Sequence, residues 1–136
     1  MLRIAMGMYF LYAGLSKIID PAWSAVGYLS GAKTFTGLFE WFALPQNIGW
    51  VNFMNEWGLT LIGIALLVGL FSRVTAIGGA LFMLLYYFPV LNFPYAGPHG
   101  FIVDEHILWI LIFVVFYATR VGRFWGLDYK FSKNKN

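Results

Sequence analysis

Cysteine is absent from the sequence. That excludes thiol redox chemistry, thiolate metal ligation and disulfides within the chain, and it leaves the redox compartment open. Charge is scarce: 11% of residues are charged and 60% are hydrophobic, against about 25% charged in ordinary soluble domains. A water-soluble domain of 136 residues could not bury so much apolar surface, so the bilayer must solvate it. Histidine is limited to His99 and His106. Even with Asp104 and Glu105 added, this is a poor set for a transition-metal site, which wants three or four ligands in a preferred geometry; no metal site is expected. Haem between two histidines close together at one end fares no better. Phosphate loops, nucleotide fingerprints and nucleophile elbows are missing too. The net charge of +3 does not point to nucleic acid, because the basic residues gather at helix ends and in the tail rather than along one solvated face.

What is present is long apolar runs. Crossing about 30 Å of hydrocarbon takes roughly 20 predominantly apolar residues, and four segments qualify. They run over about 2–19, 51–71, 74–91 and 104–121, and they predict one all-α membrane domain built as a four-transmembrane-helix bundle. The first stops at Asp20-Pro21, where proline cannot continue the ladder. It reads as a retained helix rather than a signal peptide, since Lys17 interrupts the place where small residues would guide cleavage. Ser72-Arg73 is a very short turn between the second and third. No internal repeat is evident.

Basic residues set the expected orientation. Arg3, Arg73, Arg120, Arg123, Lys130, Lys133 and Lys135 fall on one side, and Lys17 and Lys33 on the other. The richer side should face the cytoplasm, which places both termini on the cytoplasmic side of the cell membrane and requires an even number of spans. Trp23, Trp41, Trp50, Trp57 and Trp109 fall near the outer boundary and Trp125 near the inner one, where indoles find both apolar and polar surroundings. The segment 21–49 is too long for a turn and too apolar for a solvated loop, with Phe35, Leu38, Phe39, Trp41 and Phe42 crowded together. It reads as one or two short helices at the outer interface. The basic tail, about 129–136, is suited to anionic headgroups.

Ionisable groups inside a membrane are costly and need a partner or a purpose. Lys17 lies about 21 Å along the first helix from Arg3 at 1.5 Å per residue. Gly7 and Gly14 share roughly its face, and small residues let a neighbouring helix approach. Glu56, Thr60, Gly63 and Leu67 recur at helical spacing on the second helix. A Lys17–Glu56 pair is therefore expected, with Asp104, Glu105 and His106 entering at the same level. The candidate catalytic residues are thus Lys17, Glu56, His106 and Asp104, with Glu56 and His106 able to exchange protons. Structural readings stand beside this: an ion pair that fixes helix register, and acidic residues that favour the start of a helix. His106 shares a face with Phe113, Tyr117 and Arg120, either a groove lining or simple packing. Gly78-Gly79 reads as close packing. Arg73, Arg120, Arg123 and Asp128 are expected near one another at the inner end, as snorkelling anchors or as a lipid or partner contact.

Three stretches carry a family resemblance. Gly14-Leu15-Ser16-Lys17-Ile18-Ile19-Asp20-Pro21 looks like the G-x-x-K-x-x-D-P signature of the DoxX/DoxD family. The glutamate-led helix from Glu56, closing on Gly69-Leu70-Phe71-Ser72-Arg73, resembles that family's second helix and its G-L-F-x-R ending. Gly122-Arg123-Phe124-Trp125-Gly126-Leu127-Asp128 is similar to its C-terminal G-R-x-x-G-L-D. The resemblance implies a four-helix membrane fold in a prokaryotic protein. Among relatives it implies the membrane subunit of a thiosulfate:quinone oxidoreductase and a membrane protein that associates with superoxide dismutase and a sulfurtransferase. Subunits of the thiosulfate enzyme tend to be longer or paired with a second polypeptide, so independent catalysis by this short chain is not implied.

Two functions of different class follow. In the first, the chain supports quinone-linked oxidoreduction at a polar site in the outer leaflet shaped by Lys17 and Glu56, with His106 or Asp104 moving protons. Quinone is then the one cofactor expected, because nothing here ligates a metal or flavin. In the second, the chain is a non-catalytic structural or assembly subunit, partnered by other protein subunits or by copies of itself. A transporter is a third class. It would need an oligomer, and no broken helix marks a midplane site.

Overall fold

The computed structural model describes residues 1–96, 100–123 and 126–128. The expectations for His99, Trp125, the Arg123 side chain and the basic tail lie outside the described residues. Helix α1 spans Leu2–Ile19 and ends at Asp20 in extended backbone, the conformation that a following proline favours. Two short helices follow, α2 (Val26–Ser30) and α3 (Thr36–Ala43), and form a layer across one end of the longer helices. Next comes α4, Pro45–Val68. It starts at Pro45 rather than at Val51, where hydropathy places it. Proline is preorganised for a first helical turn, and the polar residues Gln46 and Asn47 lie in that turn.

Helix α5 covers Ser72–Val90. A two-residue antiparallel ladder, β1 (Leu91–Asn92) with β2 (Tyr95–Ala96), leads toward α6, Glu105–Thr119, and a single 3-10 turn at Val121–Arg123. By length and composition α1, α4 and α5 are able to cross a membrane. Helix α6 is shorter, 15 residues, and rises only about 22 Å, below the roughly 30 Å of a hydrocarbon core.

Glycines set how the helices pair. A Cβ on Gly14 would stand 2.2 Å from Thr60 Oγ1, and one on Gly63 would stand 2.4 Å from the Leu11 nitrogen. Gly7 meets Leu67 in the same seam. Helices α1 and α4 thus run antiparallel with their backbones nearly touching, on the faces that the small-residue spacing marks. Gly79 admits the Phe113 ring between α5 and α6, and Gly58 admits Phe82 between α4 and α5. Gly78 behaves differently from its neighbour: a Cβ there would meet open space. Met6, Phe10, Leu66 and Phe113 are the largest fully buried side chains. A second, smaller core of Ala25, Leu29, Ala32, Phe39 and Val51 sits beneath the α2–α3 layer.

At the end of the bundle that holds Arg3, Gly69 takes a left-handed conformation (φ 71°) and closes α4. The helix therefore stops before Phe71, because the left-handed turn breaks the ladder while the apolar run continues. Asp128 then crosses to the start of α5, where its carboxylate accepts from the Phe71 and Ser72 backbone N–H groups at 2.8 and 2.9 Å. The Leu127 and Asp128 nitrogens donate to the Val68 and Gly69 carbonyls. Arg3 is buried against Gly69 and Gly126, and the Arg73 guanidinium lies 5.1 Å from the centre of the Tyr117 ring. The α4–α5 turn is thus clasped by Asp128 and its neighbour Leu127, while Arg73 packs on Tyr117.

Candidate functional site

The opposite end, which holds Lys17, contains two cavities. The larger, of about 370 Å³, lies under the α2–α3 layer and against α4 and α5. Its walls are mainly apolar and aromatic, among them Trp23, Phe39, Phe42, Trp50 and Phe82, with Lys17, Tyr28, Asn55 and Tyr86 as the chief polar groups. The smaller, of about 110 Å³, is bounded by Tyr9, Glu105, His106 and Trp109. Lys17 and Tyr86 line both.

The layer over the larger cavity is tied down by backbone and side-chain bonds. Asn52 Oδ1 accepts from the Ala25 N–H at 3.0 Å, and Thr34 Oγ1 donates to the Leu91 carbonyl at 2.5 Å. The Lys33 N–H donates to the Pro89 carbonyl, one of the acceptors left over at a helix C-terminus. Tyr28 donates its hydroxyl proton to the Tyr86 carbonyl. Burial holds the Tyr28 hydroxyl well above its ordinary pKa, and the nearby Tyr86 hydroxyl and the Asp104 and Glu105 carboxylates push the same way. Tyr28 therefore stays protonated and able to donate.

Lys17 points into this space but does not meet Glu56. Among the described residues no Lys17–Glu56 ion pair forms. The ammonium turns back to the Ala13 carbonyl of its own helix at 3.2 Å and lies 5.3 Å from the centre of the Trp23 ring. A local carbonyl and an aromatic face satisfy a cation without the entropy of fixing two long side chains. Glu56 lines neither cavity. Its backbone carbonyl accepts from Thr60 Oγ1 at 2.7 Å and stands beside Gly14 in the α1–α4 seam.

Asp104 and His106 do come together. Asp104 caps α6, its Oδ1 accepting from the His106 and Ile107 N–H groups at 3.0 and 3.2 Å. Its second oxygen lies 2.6 Å from His106 Nδ1. An ionised carboxylate only accepts, so Nδ1 is the donor in this contact and Nε2 is the ring nitrogen left facing away from Asp104. The imidazole stacks on Tyr86, with centroids 6.1 Å apart and planes at 10°. The stripe expected from His106 through Phe113 and Tyr117 divides: Phe113 is fully buried in the core while Tyr117 sits under Arg73. Trp109 stacks on Tyr9, midway along α1, with centroids 4.9 Å apart.

Sequence reasoning missed Asn55, Tyr86 and Tyr28. The Tyr86 hydroxyl donates to Asn55 Oδ1 between α5 and α4, and Asn55 Nδ2 donates to the Val51 carbonyl at 2.9 Å. A signal existed: an amide and a phenol in otherwise apolar helices need partners when buried.

A family model described as DoxX matches residues 1–91, a stretch that takes in α1 to α5 and with them Lys17, Tyr28, Asn55 and Tyr86. No curated protein and no solved structure matches the chain.

Proposed function

The chain belongs to the DoxX family of small membrane proteins, and from that premise we propose that it supports quinone-linked oxidoreduction by holding a quinone headgroup in the larger cavity at the Lys17 end. The observation that carries this reading is the cavity itself. Its volume of about 370 Å³ falls within the range of small-molecule sites, roughly 300–1,000 Å³. Its aromatic walls suit a flat ring, and one cation faces inward among a few polar groups.

A quinone, when bound, supplies two-electron, two-proton redox chemistry. The electrons come from a redox partner, and the residues of this chain hold the headgroup and handle protons. Lys17 has three N–H donors, one of them on the Ala13 carbonyl. The others serve an acceptor oxygen and favour negative charge there. Asp104 orients the His106 ring so that Nε2 takes or gives a proton toward the smaller cavity, as carboxylate–imidazole pairs do. Tyr86 is the wall common to both spaces. Glu56 has no part in this reading, since it lines neither cavity. The proposed setting is a four-span bundle with α6 as the short fourth crossing. The Lys17 end then faces the outer leaflet and both termini lie in the cytoplasm, as the basic-residue bias implies.

The test is binding. Wild-type protein purified in mild detergent should retain quinone on extraction or bind an added one. Lys17→Met should weaken that binding roughly tenfold or more, the worth of a hydrogen bond from a charged group, with helical content unchanged. A wild type that binds no quinone, or a Lys17→Met protein that binds equally well, sinks the proposal.

A second reading, a non-catalytic assembly subunit, draws on the α2–α3 layer, where Phe35, Leu38 and Trp41 are about half exposed. Under it, Lys17→Met leaves turnover per assembled complex unchanged, whereas charged substitutions at Leu38 and Trp41 lower complex yield.

A further inference from the structure

The larger cavity has an inside and a rim, and the two differ. Its inner walls include Val51, Ala25, Leu29 and Phe39, all at most 8% exposed. Trp50, Met54 and Leu85 line the same cavity yet are 47%, 50% and 51% exposed. These three lie on α4 and α5, two helices long and apolar enough to cross a membrane. The mouth therefore opens sideways between membrane helices and is apolar where it opens. Water gains nothing at such a rim, whereas hydrocarbon does.

Below the mouth the surface of α5 continues as an apolar track. Leu81 is 56% exposed, and Gly78, two turns from Leu85 on the same face, borders open space. Neighbouring Gly79 is filled by the Phe113 ring, so the notch at Gly78 is not part of helix packing.

Resting on the headgroup reading above, we infer that the cavity is entered laterally from the bilayer by an amphiphile with a small hydrogen-bond-accepting head and a hydrocarbon tail, the tail lying along Leu85, Leu81 and Gly78. The head reaches Lys17, and the tail stays in the hydrocarbon without crossing the α2–α3 layer. The site thus takes its ligand from the membrane and discriminates against polar, tailless compounds.

Two benzoquinones test this by quenching of tryptophan fluorescence in detergent, Trp23 and Trp50 being cavity walls. One is a dimethoxy-methyl-benzoquinone with two isoprene units; the other is the same ring without a tail. The wild type should bind the tailed compound more tightly by at least tenfold, the scale set by burying a few methylene groups. A Cβ at Gly78 meets no atom within 4 Å, so Gly78→Leu places its side chain in the notch and should remove most of that advantage, leaving the tailless affinity unchanged. Leu85→Gln at the rim should likewise weaken binding of the tailed compound. Equal wild-type affinity for the two compounds overturns lateral recognition but leaves the headgroup site standing. So does an advantage untouched by both variants. If neither compound binds the wild type, the headgroup reading fails and this inference with it.

Discussion

Asp128 and Asp104 both cap helices, at opposite ends of the bundle and with opposite consequences. Asp128 uses both carboxylate oxygens on backbone N–H groups at the start of α5, 56 and 57 residues away in sequence. Asp104 caps its own helix with one oxygen, two and three residues along, and keeps the other for the His106 ring. The first closes a structure; the second leaves a side chain oriented beside a cavity. The two ends of the molecule differ in the same way. Around Arg3, polar groups and left-handed backbone lock three segments together. Around Lys17, polar groups line space: the lysine is held by one carbonyl and one ring, and two cavities meet at its ammonium and at Tyr86. A membrane protein can use the same inventory of charges for closure or for a site. The difference lies in whether the partners are fixed backbone groups or open volume.

That contrast can be broken most sharply at Asp128. Asp128→Ala strips two charge-assisted bonds from the α5 N-terminus and should cost about 2–3 kcal/mol, read as a lower midpoint of thermal unfolding in detergent, with quinone affinity unchanged. Asp104→Ala removes a local cap and should cost about 1 kcal/mol, while freeing the His106 ring to rotate. If the two substitutions destabilise equally, and the Asp104 variant leaves every ligand property intact, then Asp104 is a cap and nothing more.

A smaller effect is expected at Tyr28, whose bond to the Tyr86 carbonyl pins the layer over the cavity. Tyr28→Phe should weaken docking of α2 by at most about 1 kcal/mol, seen as greater exposure of Trp23 in a protein keeping only that tryptophan. The pH dependence has a definite sign. The folded hydroxyl ionises above its ordinary 10.0, so its contribution is fully present below pH 10.0 and is lost as pH rises beyond it toward the folded value. Trp23 emission of the single-tryptophan protein with Tyr28 intact should shift in that window, and its Tyr28→Phe counterpart should show no such step. An identical step in both would mean that another group holds the layer.

Several features were legible in the sequence because they depend on spacing along one helix. Gly7, Gly14 and Gly63 mark the α1–α4 seam by their helical phase, and Asp20-Pro21 marks the end of α1. Lys17 stands out because a cation in an apolar helix demands an explanation. Other features were not legible. The α4 start at Pro45 is hidden, since polar first-turn residues look like loop until the helix is seen to continue through them. The lysine's choice of Ala13 and Trp23 over Glu56 is a competition among partners, and composition does not rank them.

By itself, then, the sequence determined that this chain lives in a membrane, where its first helix ends, and which faces are small enough to touch. Those properties follow from solvation and from the 3.6-residue period, both of which are local. Only the tertiary structure decided that Tyr28, Asn55 and Tyr86 meet, that Asp128 closes the α4–α5 turn, and that a cavity lies beneath α2 and α3. Those are contacts between residues tens of positions apart. Their partners are chosen by how the helices pack, not by the residues that precede them in the chain.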